Sequence, residues 1–248
     1  MSDWVGFSIF SINVFLALCC LSYALVLIAR QKKRKVSDIM VMHLCACELV
    51  AVIFGYCREC LYYWNLIQKG ANTIPMLIYT TLYVSVYQST MVIVLDRVLA
   101  VYLVLKYKVV VTKNKLVIVY IVLWLISIAT GVLTYFTHWS YWLFWDTSVI
   151  IIIASSYMYI IITVYRRRRA MSRNTPQLNT PQLKLKIPLL IVSSFVLTFL
   201  IPDMIVILNH ELYCIWFEVS WSLNWISDPL IYVIFTKSQK KKNRKNQI

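Results

Sequence analysis

An aspartate and an arginine stand side by side at positions 96 and 97, inside the run VLDRVLAVYLVLKY that spans residues 94–107. Ionised groups in apolar surroundings are costly unless paired. What the pair does therefore depends on what surrounds its helix. Three other stretches place acids or amides in apolar sequence. Glu48 sits in HLCACELV, Asp203 follows Pro202 in FLIPD, and Asn224, Ser227 and Asp228 share SLNWISDPLIY. Intramembrane polar residues of this kind are functional candidates by default. The patterns of an enzyme are missing. His43, His138 and His210 are scattered, and there is no His-x-x-x-His, no Gly-rich phosphate loop and no Gly-x-Ser-x-Gly. Cys57 and Cys60 form a single Cys-x-x-Cys without a second pair. The sequence predicts neither catalysis nor a metal centre.

What positions these residues follows from composition. Of 248 residues, 60% are hydrophobic and 14% charged, too few charges to cover a soluble domain of this size. The apolar residues fall into seven blocks: Val5–Ala29, Ile39–Tyr63, Ile74–Leu105, Leu116–Thr137, Thr147–Tyr165, Ile187–Leu208 and Tyr213–Phe235. A helix needs about 20 apolar residues to cross a bilayer core. Backbone groups in lipid must bond within their own segment, which favours helices over strands for blocks this long. The expectation is an all-α polytopic membrane protein: a seven-transmembrane helix bundle over residues 1–236 and a basic cytoplasmic tail over 237–248. The first block has no basic segment before it and no small-x-small site after it, so it reads as a signal anchor rather than a cleaved signal peptide. Pro202 and Pro229 each remove a helical hydrogen bond and are the expected hinges.

Charge sets the orientation. On a seven-pass serpentine, all but Arg58 and Lys69 of the 25 Lys and Arg residues fall on one side. They cluster in the first connection, from Arg97 to Lys115, in the loop 166–186 and in the tail. The positive-inside rule places that side in the cytoplasm and the N-terminus outside, here at the plasma membrane. The net charge of +15 then reads as topology signals and contact with anionic lipid, not as a nucleic-acid surface.

The inner loop 166–186 carries a duplication, NTPQL twice over 174–183. Its Asn, Thr and Pro make it a solvated, turn-forming linker, with proline-directed phosphorylation at Thr175 and Thr180 as the functional alternative. The second outer loop is expected at His138–Asp146, where Trp139, Tyr141, Trp142 and Trp145 read as an interfacial aromatic belt, with a ligand lid as the alternative. Cys19, Cys20, Cys45 and Cys47 are expected to pack as small hydrophobes. Cys57, Cys60 and Cys214 lie toward the outer side, where a disulfide is open to them.

In this arrangement the chain resembles the rhodopsin-like G-protein-coupled receptors along essentially its whole length. VLDRVLAVYLVLKY is similar to that family's Asp/Glu-Arg-Tyr segment, with Val98 for the Tyr. DPLIY at 228–232 is similar to its Asn-Pro-x-x-Tyr, with Asp228 for the Asn. HLCACEL resembles its second-helix motif with Glu48 for Asp; Trp124 matches the fourth-helix Trp, Pro202 the sixth-helix Pro, and Tyr157 or Tyr159 the fifth-helix Tyr. The sequence also departs from the pattern. Leu200 stands where the sixth-helix Trp belongs, the outer Cys pair is missing, and Tyr79, eighteen residues before Arg97, occupies the place of the aminergic Asp. The missing outer Cys, short second outer loop, absent fifth-helix Pro and DPLIY are similar to melanocortin-type and related lipid or nucleoside receptors.

The resemblance implies a receptor that passes an extracellular signal to a heterotrimeric G protein. Its coupling switch would comprise Asp96, Arg97, Tyr157 and Tyr232. Its intramembrane polar network would comprise Glu48, Asn224, Ser227 and Asp228, and its ligand pocket would include Tyr79, Leu200 and Asp203. A peptide, lipid or nucleoside ligand is favoured over an amine. Glu48 and Asp228 would share one cavity, where two charged carboxylates require either a proton on one of them or a bridging sodium ion. The proton is favoured, because Val86 takes the place of the family's third-helix Ser, although Ser85 is adjacent. Two other classes stay open: a receptor-like heteromer partner that does not couple, and a small transporter or channel, whose inverted repeats or broken helix pairs the sequence does not display.

Overall fold

A buried stripe organises the first helix. Phe10, Val14, Ala17, Leu21, Ala24 and Ile28 recur at steps of four and three and lie inside, while Ile12, Phe15, Leu16, Tyr23 and Val26 between them face outward. Both faces are apolar, as for a helix whose solvent is lipid. The computed structural model describes residues 2–31, 36–64, 74–103, 106–137, 140–172, 197, 198, 201, 202, 205, 219 and 222–234. Among these, all regular structure is helical. In chain order the helices are α1 (Ser2–Ala29), α2 (Val36–Tyr63), α3 (Ile74–Leu103), α4 (Tyr107–Val110), α5 (Lys113–Phe136) and α6 (Ser140–Ser172), followed by a helical stretch at 222–234. Four of them, α1, α2, α3 and α5, are long and apolar enough to cross a membrane, and α6 holds a shorter apolar stretch, Ile151–Thr163. An all-helical chain with several such helices is compatible with a multi-pass membrane protein.

The expected block Ile187–Leu208 lies almost wholly outside the described residues, as do the NTPQL duplication and Cys214. The block Tyr213–Phe235 is represented by residue 219 and the 222–234 stretch. Two boundaries differ in kind from expectation. The aromatic segment expected as an outer loop is helical from Ser140 onward, so the connection from α5 narrows to a few residues after Phe136. At the other end α6 continues through Arg166–Arg169 to Ser172, so those arginines extend a helix rather than open a loop. At about 1.5 Å per residue this helix is far longer than an apolar bilayer core about 30 Å thick.

α3 is the hub. It packs against α2, α4, α5 and α6, and its residues Leu82–Thr90 are buried without interruption. α1 closes on α2 and on 222–234, through Val41, Cys45 and Val52 on one side and Trp225, Tyr232 and Val233 on the other. α5 starts with Thr112, whose hydroxyl accepts from the Lys115 amide at 3.4 Å, an N-cap that satisfies one orphan donor. Its buried residues, Leu116, Tyr120, Ser127, Gly131 and Thr134, form one narrow stripe.

Gly131 sets how closely α5 meets α3. A Cβ there would overlap the Thr81 hydroxyl and reach 3.3 Å from the Leu77 carbonyl, and Thr81 already donates to that carbonyl. Small residues at helix contacts are what allow such approach in lipid. Gly131→Leu is expected to lower stability by about 1–3 kcal/mol, read as the thermal unfolding midpoint of the purified protein. Gly131→Ala should cost less and recover in part when combined with Thr81→Ala.

Candidate functional site

The described polar side chains gather at four levels of the bundle. Toward the C-terminal end of α3, Asp96 is buried and its Oδ2 lies 2.6 Å from Nη2 of Arg97. Neighbours on a helix point about 100° apart and do not face each other. The contact accordingly has the distance of an ion pair without the direction of a hydrogen bond, and Asp96 Oδ2 and Arg97 Nε have no hydrogen-bond partner among the described residues. The directed bond to Asp96 comes from elsewhere: the Tyr107 hydroxyl of α4 donates to Oδ1. Tyr157 of α6 packs on the same core and lies close enough to Arg97 to feel its charge.

Tyr232 does not join this group. Its hydroxyl donates to Asp38 Oδ1 at 3.1 Å and accepts from Gln31 Nε2 at 3.2 Å, tying 222–234 to the start of α2 and to the segment just after α1. Of the four residues expected in the coupling switch, the structure thus gathers Asp96, Arg97 and Tyr157 and places Tyr232 against a different carboxylate.

One level up, Glu48 and Asp228 are both buried and interact directly. Asn224 donates from Nδ2 to Glu48 Oε1 at 3.5 Å and accepts from the Thr198 hydroxyl at 3.2 Å. Ser227 turns its hydroxyl to the Asn224 carbonyl. Glu48 Oε2 and both Asp228 oxygens lack hydrogen-bond partners among the described residues, an arrangement whose balance requires a proton or a cation. The Ser85 hydroxyl of α3 is spent on the Leu82 carbonyl at 2.7 Å. Pro229 lies next to Asp228 within the 222–234 helix and Pro202 lies in a short helical piece; Leu200 and Asp203 fall outside the described residues.

The third cluster was not legible as a unit. His43 of α2 stacks on Tyr120 of α5 with ring centres 3.7 Å apart. Its Nε2 accepts from the Trp124 indole N–H at 3.1 Å, and its Nδ1 is 3.0 Å from Ser89 Oγ of α3. Ser89 donates its own proton to the Ser85 carbonyl at 2.7 Å, so the imidazole fits the neutral Nδ1–H form, donating to Ser89 and accepting from Trp124. One ring thereby joins three helices. The available signal was spacing: the hydroxyls of Ser85 and Ser89 lie one turn apart on α3, and Tyr120 and Trp124 one turn apart on α5.

Toward the C-terminal end of α2, Arg58 and Glu59 are buried as an adjacent ion pair. The Arg58 guanidinium lies 3.7 Å over the ring of Tyr79, the expected pocket residue, within cation–π range. Tyr79, Tyr83 and Tyr87 continue inward along α3 as a column of adjoining rings, with the Tyr83 and Tyr87 hydroxyls 3.1 Å apart. Cys57 and Cys60 are free thiols, as are Cys19, Cys20, Cys45 and Cys47.

His43→Phe keeps the stack on Tyr120 but leaves the Trp124 N–H and Ser89 without their ring partner. It is expected to destabilise the bundle by about 1–3 kcal/mol, read as a lower thermal midpoint, with Trp124→Phe adding little further because the two act through one bond. No protein-family model matches this chain, and comparison with curated proteins yields no match, so the functional reading stands on the geometry above.

Proposed function

We propose that this chain is a seven-helix receptor of the rhodopsin-like class in the plasma membrane, N-terminus outside, that passes an extracellular signal to a heterotrimeric G protein. The observation that carries the reading is the Asp96–Arg97 pair at the inner end of α3, held at 2.6 Å yet poorly directed, with Tyr157 alongside. A guanidinium stays charged at every physiological pH. It therefore exchanges partners rather than protons, and a pair of imperfect geometry is one that a better-directed acceptor can displace. Outward movement of the helix hinged at Pro202 admits that acceptor from the cytoplasmic side. A ligand that favours the open form by a few kcal/mol is enough to shift the population.

The outer cluster bears on the ligand. Tyr79 already carries a cation on its face, so an amine entering there meets like charge. A peptide, lipid or nucleoside suits the site better. At Glu48 and Asp228, a proton shared between the acids suits the surroundings better than sodium, because Val86 is apolar and the Ser85 hydroxyl is committed to backbone. A second reading, a receptor-like partner that does not couple, is favoured by Val98 and by the bonding of Tyr232 to Asp38.

Nucleotide exchange on a panel of purified G proteins, with the receptor in lipid nanodiscs, separates these. The coupling reading expects exchange above the protein-free rate, and a loss of at least about tenfold in Arg97→Gln. Exchange indistinguishable between wild type and Arg97→Gln would leave the non-coupling reading. The shared proton is tested separately. The unfolding midpoint should be equal in sodium and potassium chloride, because a bound sodium ion would stabilise the folded state by linkage.

A further inference from the structure

We propose that Cys57 and Cys60 are a redox modification site: they close into a reversible disulfide, and the closure turns the Arg58–Glu59 ion pair away from Tyr79. The thiol chemistry stands apart from the receptor reading. Its setting in an oxidising compartment rests on the orientation that belongs to that reading.

The run Cys57-Arg58-Glu59-Cys60 frames an ion pair with two thiols. Residues three apart on a helix share a face, so the thiols lie on one side and the charged residues between them point elsewhere. Accordingly Cys57 is exposed and Cys60 half-buried, while Arg58 and Glu59 are each 7% exposed. The other described cysteines lack this arrangement. Cys19 and Cys20 are consecutive, and Cys45 and Cys47, two apart, are buried in different parts of the core. Cys57 lies about 9 Å before the last residue of α2, Tyr63, and Cys60 about 4.5 Å before it.

Both are free thiols. They oxidise by exchange with a small disulfide such as glutathione disulfide. The thiolate of the more exposed Cys57 attacks one sulfur, the S–S bond breaks and one glutathione thiolate leaves. The Cys60 thiolate then attacks the Cys57 sulfur and displaces the second. The two protein thiols give up two protons and two electrons, and glutathione disulfide takes up both to become two glutathione thiols.

Closure reaches the residues in between. Cβ atoms three positions apart on an α-helix are separated by about 5–6 Å, and a disulfide needs about 3.5–4.5 Å. The turn must tighten toward the 3₁₀ form, in which such residues eclipse. The step between successive residues then widens from about 100° to about 120°, and Arg58 and Glu59 take up the rotation. In the dithiol form Arg58 donates from Nε to Glu59 Oε1 at 3.0 Å, and its guanidinium lies 3.7 Å over the Tyr79 ring. Turning the guanidinium off that ring loosens α2 from α3 at this level. Tightening also breaks the α-helical ladder of the last turn, where the Trp64 amide donates to the Cys60 carbonyl at 3.0 Å.

The test titrates the full-length chain in nanodiscs with glutathione disulfide, alongside Cys57→Ser, Cys60→Ser and the double variant. Peptide mass mapping should find a Cys57–Cys60 bridge in the wild type and a glutathione adduct on the remaining cysteine of each single variant. Hydrogen–deuterium exchange of the amides at 61–64, which bond to the carbonyls of 57–60 in an α-helix, is the second readout. It should rise about three- to tenfold on oxidation of the wild type, return with dithiothreitol, and stay near the reduced value in both single variants. Adducts without a bridge overturn the proposal, and so does a bridge that leaves these amides unchanged. A membrane-impermeant maleimide on intact cells tests the setting. Labelling of the reduced wild type beyond the double variant supports an outside position. Labelling of this pair only after permeabilisation overturns the orientation, while a bridge in nanodiscs leaves the thiol chemistry standing.

Discussion

The structure depends on one constraint: α3 carries a polar face through the interior of an apolar bundle, and each polar group on it must find a partner without water. Ser85, Ser89 and Thr90 solve this locally by donating to carbonyls three or four residues back. Bonds between elements add to these. Gln88 accepts from Ser127 of α5, Ser89 meets His43 of α2, and Asp96 takes Tyr107 from α4. Each of these bonds names a neighbour. Lipid supplies no hydrophobic drive between helices, so polar contacts and close packing decide which helix lies beside which. Here both act on the same pair of helices, since Gly131 lets α5 approach α3 near Thr81 while Gln88 and Ser127 bond two turns further in.

The His43 ring shows how narrow the solution is. It must lie flat on Tyr120, take a proton from Trp124 and offer one to Ser89. Only an imidazole meets all three demands with a single small ring: phenylalanine stacks without bonding, and an amide bonds without the aromatic face. The net worth of any one such bond is modest, but an unmade bond in this environment carries the full desolvation cost. Residues of this kind therefore fix the arrangement of helices more than they add to its stability.

How much of this could be read from the chain follows from the same physics. The helical blocks were legible because a run of about 20 apolar residues in this composition has one stable form in lipid. The acids inside those blocks were legible because they are rare there. Which way each helix faces was not. In water, α1 would advertise its buried stripe by contrast with a polar face, but Phe10, Val14 and Leu21 inside and Ile12, Phe15 and Leu16 outside are chemically alike. Without that contrast, periodicity carries little information on rotation. Tyr232 was expected near Arg97 by resemblance alone, and it is found on Asp38. The start of α6 escaped for a related reason. Trp and Tyr at 139–145 suit an interface whether the backbone is looped or helical, and so composition there does not separate the two. Tyr107 was hidden because no periodic pattern links a residue in a loop to one eleven positions earlier.

At the end of the bundle that holds Asp38 and Asp96, bonding strength is unevenly distributed. Two carboxylates face two phenols, Asp96 with Tyr107 and Asp38 with Tyr232, and each pair links elements that adjoin in space but not in periodic register. Arg97 stands beside better-bonded groups and, among the described residues, pairs with its misaligned neighbour in sequence while Nε has no hydrogen-bond partner. A buried donor in that state raises the energy of the folded arrangement without weakening the phenol contacts around it. Glu48 and Asp228 are the other place where the bundle holds charge without enough partners, since Glu48 Oε2 and both Asp228 oxygens lack hydrogen bonds among the described residues. The bundle is thus stable as a whole yet unsatisfied at two separate sites, both built from residues that a purely apolar packing would not contain.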